Sequence, residues 1–175
     1  MKLQEQELLD VVDERDVVIK RGVAREDIHA RRLLHRSVIV FVLNSKGQIF
    51  VQERSPAKDV YPGLLLASCS GHVLSGESYK EAAIRELREE LGIEVGPRAL
   101  DRVCDFNCIT PEEQEMTVLF VLENYDKPIN IDRQEIISGK FVSVQELKNQ
   151  TKLEPKKFTP PFLRAFGLWW KRVSS

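Results

Sequence analysis

The sequence has no apolar run that approaches the roughly 20 residues needed to cross a bilayer. Its first ten residues, MKLQEQELLD, are too acidic for a signal or transit peptide. An excess of one charge is also missing, because 26 Lys and Arg residues face 27 Asp and Glu residues and leave a net charge of −1. These absences predict a cytoplasmic protein that binds neither nucleic acid nor membrane by bulk attraction.

Cysteine is scarce, with only Cys69, Cys104 and Cys108 present. An odd number of cysteines in a chain without an export signal predicts free thiols and no disulfide framework. The 175 residues, 42% of them hydrophobic, are enough for one core, so residues 1–175 are expected to form a single domain. The sequence does not decide between a monomer and a homodimer.

One helix with many acidic residues is the strongest local pattern. Ser78 followed three residues later by Glu81 is a capping box, and Gly92 is a natural residue to end a helix, so the helix should span Tyr79–Leu91. The apolar residues Ala83, Leu87 and Leu91 fall on one side at about 100° per residue. The helix therefore has a core face and a separate acidic face.

Three carboxylates, from Glu86, Glu89 and Glu90, share an arc of about 100° on this helix. Like charges four residues apart destabilise a helix, so stability alone does not explain them. Oxygen ligands of this kind suit Mg²⁺ or Mn²⁺, although a solvated charged face remains the simpler reading of the helix alone. Arg85 lies four residues from both Glu81 and Glu89, where it could pair with either.

The spacing around the helix resembles the Nudix box at every fixed position: Gly71, Glu77, Arg85-Glu86-Leu87, Glu89-Glu90 and Gly92-Ile93. The resemblance implies an α/β fold, an α/β/α sandwich with a mixed central sheet. It also implies a hydrolase (pyrophosphohydrolase) acting on a small nucleoside diphosphate linked to a group X. By this resemblance Gly71, Glu86, Glu89 and Glu90 would hold Mg²⁺ or Mn²⁺, Arg85 would position the acids, and Glu77 and Gly92 would be structural. The base would be Glu86 or a glutamate of the following loop, Glu113 or Glu115.

The remaining patterns place this core at about residues 36–147, between an extension of residues 1–35 and a C-terminal helix. Hydrophobic periodicity and turn residues predict a hairpin, a short helix, six strands and two later helices. They are, in order, strands Leu9–Val12 and Val17–Lys20; a helix within Ala24–Leu34; strands Ser37–Leu43 and Gln48–Glu53, paired as a hairpin; strands Leu64–Ser68, Leu100–Asn107, Met116–Leu122 and Gly139–Val144; a helix starting at Ser143; and a helix at residues 160–172.

Within the family, Leu34-His35, Tyr61-Pro62-Gly63 and Gly71-His72 are similar to the isopentenyl diphosphate isomerases. His35, His72, Glu113 and Glu115 match residues that hold a separate divalent metal there, and His29 lies within one residue of another match. Each histidine could equally be an ordinary loop residue. The isomerase cysteine position is Ser70, with Cys69 one residue early and hence on the opposite face of a strand, and the catalytic tyrosine position near Cys108 is not aromatic.

Three functions therefore stay open: a Mg²⁺-dependent hydrolase, an isomerase-like enzyme with a second metal site, and a diphosphate-binding module without turnover. The loops that would select the group X carry no motif for a base or a sugar. They are Arg54–Asp59, Asn107–Glu113 and Asn124–Ile137.

Overall fold

The computed structural model describes residues 7–57 and 60–174. Lys58 and Asp59 of the predicted loop Arg54–Asp59, and the first six residues of the N-terminal extension, lie outside the described residues. The elements are β1 Leu8–Val12, β2 Val18–Ala24, α1 Arg25–Ala30, β3 His35–Val42, β4 Gln48–Arg54, β5 Leu65–Leu66, β6 Cys69–His72, α2 Tyr79–Leu91, β7 Leu100–Ile109, β8 Gln114–Leu122, β9 Ile136–Ser143, α3 Val144–Leu153 and α4 Pro160–Val173.

Two sheets carry these strands. The larger sheet has the order β2-β1-β3-β8-β7, with β6 also paired to β3, and the smaller sheet has the order β5-β4-β9. Strands β3 and β8 run parallel from His35↔Glu115 to Val42↔Leu122, whereas the other pairs of the larger sheet are antiparallel. The predicted mixed sheet is confirmed, and β2 of the N-terminal hairpin forms one of its edges.

Alternation along β3 divides the core into two layers. Val38, Val40 and Val42 pack with the apolar face of α2. Ile39 and Phe41 point the other way and pack with α4, where the Phe41 ring meets those of Phe162 and Trp169 at 5.9 Å between centroids. Helices on both faces of the sheets give the predicted α/β/α sandwich.

The predicted hairpin between β3 and β4 is wrong. Within the described residues only an isolated bridge, Leu43↔Ile49, joins the two strands, because β8 and β6 occupy the edges of β3 and β4 enters the smaller sheet. The predicted strand Leu64–Ser68 is shorter than expected, because only Leu65–Leu66 forms a strand, β5 of the smaller sheet, and the chain then enters the larger sheet as β6 at Cys69. The chain crosses between them at Ser68, whose hydroxyl donates to the Phe50 carbonyl at 2.6 Å and accepts from the Val42 N–H at 2.7 Å.

Helix α2 has the predicted bounds because its ends are set locally. The Ser78 hydroxyl accepts from the Glu81 N–H, the Glu81 carboxylate accepts from the Ser78 N–H, and Gly92 takes the left-handed conformation at φ 64°. The last predicted strand starts earlier than expected, at Ile136. None of the helices among the described residues is both long enough and apolar enough to cross a membrane.

Candidate metal and catalytic site

Strand β6 places Gly71 directly against the second turn from the end of α2. A Cβ atom at position 71 would overlap the Glu86 carboxylate, so only glycine allows this approach of strand and helix. The Glu86 carboxylate is thereby held against the backbone at the first position of the box. The sequence prediction that these two residues act together has a geometric basis.

Arg85 ties the acids of the box to one another. Its Nε and Nη2 atoms donate to the two oxygens of Glu77, each at 3.0 Å, in a fork geometry. Its Nη1 donates to Glu86 at 2.7 Å and to Glu89 at 3.2 Å, and its Nη2 also donates to the His72 carbonyl at 2.8 Å. The predicted pairing with Glu81 is not formed, because Glu81 caps the helix start instead.

Of the box carboxylates, Glu90 is buried and Glu86 is largely buried. Burial raises the pKa of Glu86 to about 7, and burial together with the Glu86 charge raises the pKa of Glu90 well above its usual range. Among the described residues, the Gln52 amide donates to the Glu90 carboxylate at 2.8 Å. Two carboxylates that disfavour each other's charge fit a divalent cation, because a cation would stabilise both ionised forms.

The third predicted ligand, Glu89, differs from these two. Its side chain is 51% exposed and is shared between Arg85 and, at 3.9 Å, Arg88. In the described residues Glu89 therefore lies at the solvent edge of the acidic face.

All five residues of the predicted second metal site come together on another part of the fold. Donor atoms of His29, His35 and His72 lie within 4.8 Å of one another, and so do those of His72, Glu113 and Glu115. The Nε2 atoms of His35 and His72 are 3.8 and 3.9 Å from Glu115, and Nε2 of His29 is 3.9 Å from Glu113. We refer to these five residues as the His/Glu cluster.

His29 has the charge of a metal ligand, and His35 has both the charge and the orientation of one. Burial lowers the pKa of His29 to about 4 and of His35 to about 3, with the nearby His72 as the next cause, so both rings are neutral at pH 7. His35 Nδ1 lies 2.9 Å from the Leu33 carbonyl, which fixes Nδ1 as the donor and leaves the Nε2 lone pair free. The buried Nε2 atoms of His29 and His35 have no hydrogen-bond partner among the described residues. A cation bound between them would satisfy both atoms.

The two sites adjoin at β6. Cys69 and Gly71 face α2 and the box acids, whereas Ser70 and His72 face a pocket of about 90 Å³ that also contacts Glu113 and Glu115. Gly71, which has no side chain, lines this pocket as well. Cys69 is fully buried, and burial raises its pKa far above the usual range, so its thiol is not exposed to this pocket. The expectation that the shifted cysteine points to the other face is confirmed.

Gln52 and Arg54 have no motif that sequence reasoning could use, and the motif Tyr61-Pro62-Gly63 does not show what the Tyr61 side chain contacts. Gln52 and Arg54 belong to β4, and only the tertiary fold places Gln52 against Glu90 and Arg54 in the pocket wall. Tyr61 takes a positive φ of 54° and donates its hydroxyl to Thr110 at 3.0 Å and to Glu112 at 3.2 Å. These bonds join the Tyr61-Pro62-Gly63 segment to the loop Asn107–Glu113, which is one of the loops expected to select the group X, and they hold Glu112 against Tyr61.

Comparisons with known proteins agree with this geometry. The NUDIX domain matches residues 33–163. An uncharacterised Nudix hydrolase of Yersinia pestis is 36% identical over 95% of this chain and 87% of its own, and an isopentenyl-diphosphate Δ-isomerase 2 of Photorhabdus laumondii is 31% identical over 95% and 90%. The crystal structure of DR0079 from Deinococcus radiodurans has a TM-score of 0.71 at 31% identity and covers 85% of this chain and 90% of that chain.

Proposed function

Because this chain belongs to the Nudix family, we propose that it is a hydrolase that uses Mg²⁺ or Mn²⁺ to cleave the diphosphate linkage of a small molecule of the nucleoside diphosphate–X type. The observation that carries this proposal is the largely buried Glu86 carboxylate against the Gly71 backbone, with the buried Glu90 carboxylate one turn further along α2. An oxygen-only donor set of this charge suits a hard divalent ion that also binds phosphate oxygens.

Each residue of the box has a distinct part in the proposal. Gly71, Glu86, Glu89 and Glu90 would hold the cation, which when bound neutralises diphosphate oxygens and lowers the pKa of water. The Arg85 fork on Glu77 keeps the Glu86 carboxylate against Gly71. The Glu86 carboxylate would be ionised beside the bound cation, and one of its oxygens could accept a proton from the attacking water. Glu113 and Glu115 are the other candidates for this base.

The His/Glu cluster is proposed as a second metal site. The unpartnered Nε2 atoms of His29 and His35, with the carboxylates of Glu113 and Glu115, favour a transition metal such as Mn²⁺ over Mg²⁺, because neutral imidazole is a better ligand for the former. This cluster supports an isomerase-like enzyme as the second candidate function. In this chain Ser70 occupies the position of the isomerases' catalytic cysteine. This counts against the isomerase candidate, because a serine hydroxyl is a much weaker acid than a thiol. We also propose a cytoplasmic location, supported by three free thiols.

The test is a turnover screen over nucleoside diphosphates, dinucleotides, nucleotide sugars and prenyl diphosphates with Mg²⁺ or Mn²⁺. We expect phosphate or nucleotide release with the wild-type protein. The Glu90→Gln variant should lose at least about tenfold in kcat at limiting metal, or roughly 1.4 kcal/mol of transition-state stabilisation. The exposed Glu94→Gln variant is the matched control.

Full activity of Glu90→Gln at limiting metal would rule out the assignment of this ligand. Deuterium uptake from heavy water into isopentenyl diphosphate, without hydrolysis of any substrate, would establish the isomerase alternative in its place. Tight binding of a diphosphate with neither reaction would identify a binding module.

A further inference from the structure

The net charge of −1 hides a strong segregation of charge along the chain. Residues 147–175 contain seven Lys and Arg residues and one acid, Glu154, whereas residues 1–146 carry a net charge of −7. All seven basic side chains are exposed: Lys148, Lys152, Lys156, Lys157, Arg164, Lys171 and Arg172. This basic surface belongs to α3, α4 and the turn between them, on the side of the sandwich opposite α2.

A groove with an apolar floor lies within this surface. It has a volume of about 400 Å³ between α3 and α4 and is lined on the α4 side by Leu163, Phe166, Gly167 and Trp170. Lys148 and Lys152 form the opposite rim, and the Lys148 ammonium lies 4.7 Å from the centre of the Trp170 ring. We call this feature the α3–α4 groove.

The presence of glycine at position 167, in the α3–α4 groove, is not explained by packing within the fold. It lies in the interior of α4, where glycine is less favourable than any residue except proline. A Cβ atom there would meet nothing within 4 Å, so no packing contact within the described chain requires glycine. Its effect is a notch in the α4 surface between Leu163 and Trp170, which are one turn away on either side.

We propose that the α3–α4 groove binds an acidic segment of a partner protein, which inserts an apolar side chain into the notch at Gly167. The lysine rim would pair with carboxylates of the segment, and the apolar floor would bury its anchor residue. Basic charge beside an apolar notch is the complement of an amphipathic acidic helix or strand. The groove lies away from the box acids and the His/Glu cluster, so this binding is separate from the proposed hydrolysis.

Other occupants fit the groove less well. A second copy related by a twofold axis would bring one lysine rim against another, which is repulsive. A flat bilayer surface cannot fill a notch below the level of the helix surface. Single-stranded nucleic acid binds by stacking its bases on exposed aromatic rings, but one face of the Trp170 ring is covered by the Lys148 ammonium.

The proposal is tested by selecting displayed random peptides of 12 residues on the whole protein and measuring the affinity of the enriched sequences by fluorescence anisotropy. We expect a consensus with at least two Asp or Glu residues flanking a Leu, Phe or Trp. Gly167→Leu should weaken binding at least tenfold and also raise Tm, because leucine favours helix where glycine does not. Lost binding with raised stability cannot result from unfolding.

Charge is tested by the double variant Lys148→Glu/Lys152→Glu, which should weaken binding at least tenfold. The double variant Lys20→Glu/Lys46→Glu changes two exposed lysines elsewhere and should bind within twofold of wild type. The absence of an acidic consensus, or peptides that bind Gly167→Leu as well as wild type, would overturn the proposal. The proposal would also be overturned if the protein bound phosphatidylserine vesicles or an oligonucleotide, or associated with itself, and if Lys148→Glu/Lys152→Glu abolished that interaction.

Discussion

Arg85 has a geometry that lysine cannot reproduce. Its guanidinium donates to five oxygen atoms, of Glu77, Glu86, Glu89 and His72, and the fork on Glu77 needs two parallel N–H groups. We expect Arg85→Lys to lower kcat at least about tenfold, a loss of roughly 1.4 kcal/mol, with a smaller change in KM. The largely exposed Arg88→Lys is the control. A pure KM effect in steady-state kinetics would indicate that Arg85 contacts substrate.

The loop acids near β8 should differ from one another. Glu115 is buried and Glu113 is largely buried in the His/Glu cluster, whereas Glu112 is exposed and accepts from Tyr61. Glu113→Gln and Glu115→Gln should each reduce kcat at least about tenfold and reduce the Mn²⁺ content measured by mass spectrometry. Glu112→Gln should leave both kcat and the Mn²⁺ content nearly unchanged. Equal, small effects at all three positions would mean that they are solvated loop acids and would leave Glu86 as the base.

Glu7 orients a histidine of the cluster. Its carboxylate lies 3.4 Å from His72 Nδ1, and the hydrogen bond to His72 is the main cause that lowers the pKa of Glu7 to about 2. An acceptor on Nδ1 directs the Nε2 lone pair toward the cluster, and loss of such an acceptor typically weakens metal binding about 10–100-fold. We therefore expect Glu7→Ala to raise the Kd for Mn²⁺ in calorimetry, with the exposed Glu14→Ala as control. An unchanged Kd would mean that His72 needs no such support.

Helix α2 provides a test at the scale of an element. Ser78→Ala removes the hydroxyl that accepts from the Glu81 N–H and should lower the free energy of unfolding by about 1 kcal/mol, or Tm by about 2–4 °C. Cation affinity should not change, because the first turn frays while Glu86 and Glu90 lie in the last two turns. Ser143→Ala, which removes the equivalent cap of α3, should give a similar loss of stability. Weaker cation binding in Ser78→Ala alone would show that fraying reaches the acids.

The elements that the sequence predicts best are those that neighbouring residues determine. The bounds of α2 follow from Ser78, Glu81 and Gly92, which act on each other within the helix. The partners of β4 could not be predicted in this way, because they are β5, which follows a loop, and β9, which lies about 90 residues later. The turn at Asn44–Gly47 is compatible both with a hairpin and with the observed pairing. The His/Glu cluster and the Tyr61-Pro62-Gly63 segment were identified by resemblance, whereas the contacts of Gln52 with Glu90 and of Tyr61 with Thr110 join distant segments and no local pattern encodes them.

Stability of the whole molecule should depend on pH in both directions when no metal is bound. Burial raises the pKa of Glu86 to about 7 and of Glu115 to about 8, so the folded protein binds more protons than the unfolded chain and stability falls as pH rises from about 4.5 to 8. His29 and His35 have lowered pKa values, about 4 and about 3, so the unfolded chain binds more protons and stability falls as pH falls from about 6.5 to 3. A maximum between about pH 4.5 and 6.5 follows.

Thermal unfolding with EDTA at pH 6 and pH 8.5 checks this expectation. Tm should be lower at pH 8.5, because the contribution of the raised carboxyl pKa values is lost across this whole range, whereas the opposing histidine contribution ends near the unfolded pKa of 6.5. Saturating Mn²⁺ should remove most of the difference, since a bound cation favours the ionised carboxylates. Glu86→Gln should flatten the metal-free profile, whereas Glu94→Gln should not. Equal pH slopes with and without Mn²⁺ would show that these acids do not hold the ion.

The segregation of charge between residues 1–146 and 147–175 gives the molecule a permanent dipole moment whose positive end lies at α3 and α4. A particle of this kind adsorbs by its charged patch and not by its net charge. The protein, with a sequence pI near 6.3, should therefore be retained at pH 7 and low salt by cation-exchange resin as well as by anion-exchange resin. On either resin it would be adsorbed in a preferred orientation, with the box acids facing away from the cation exchanger.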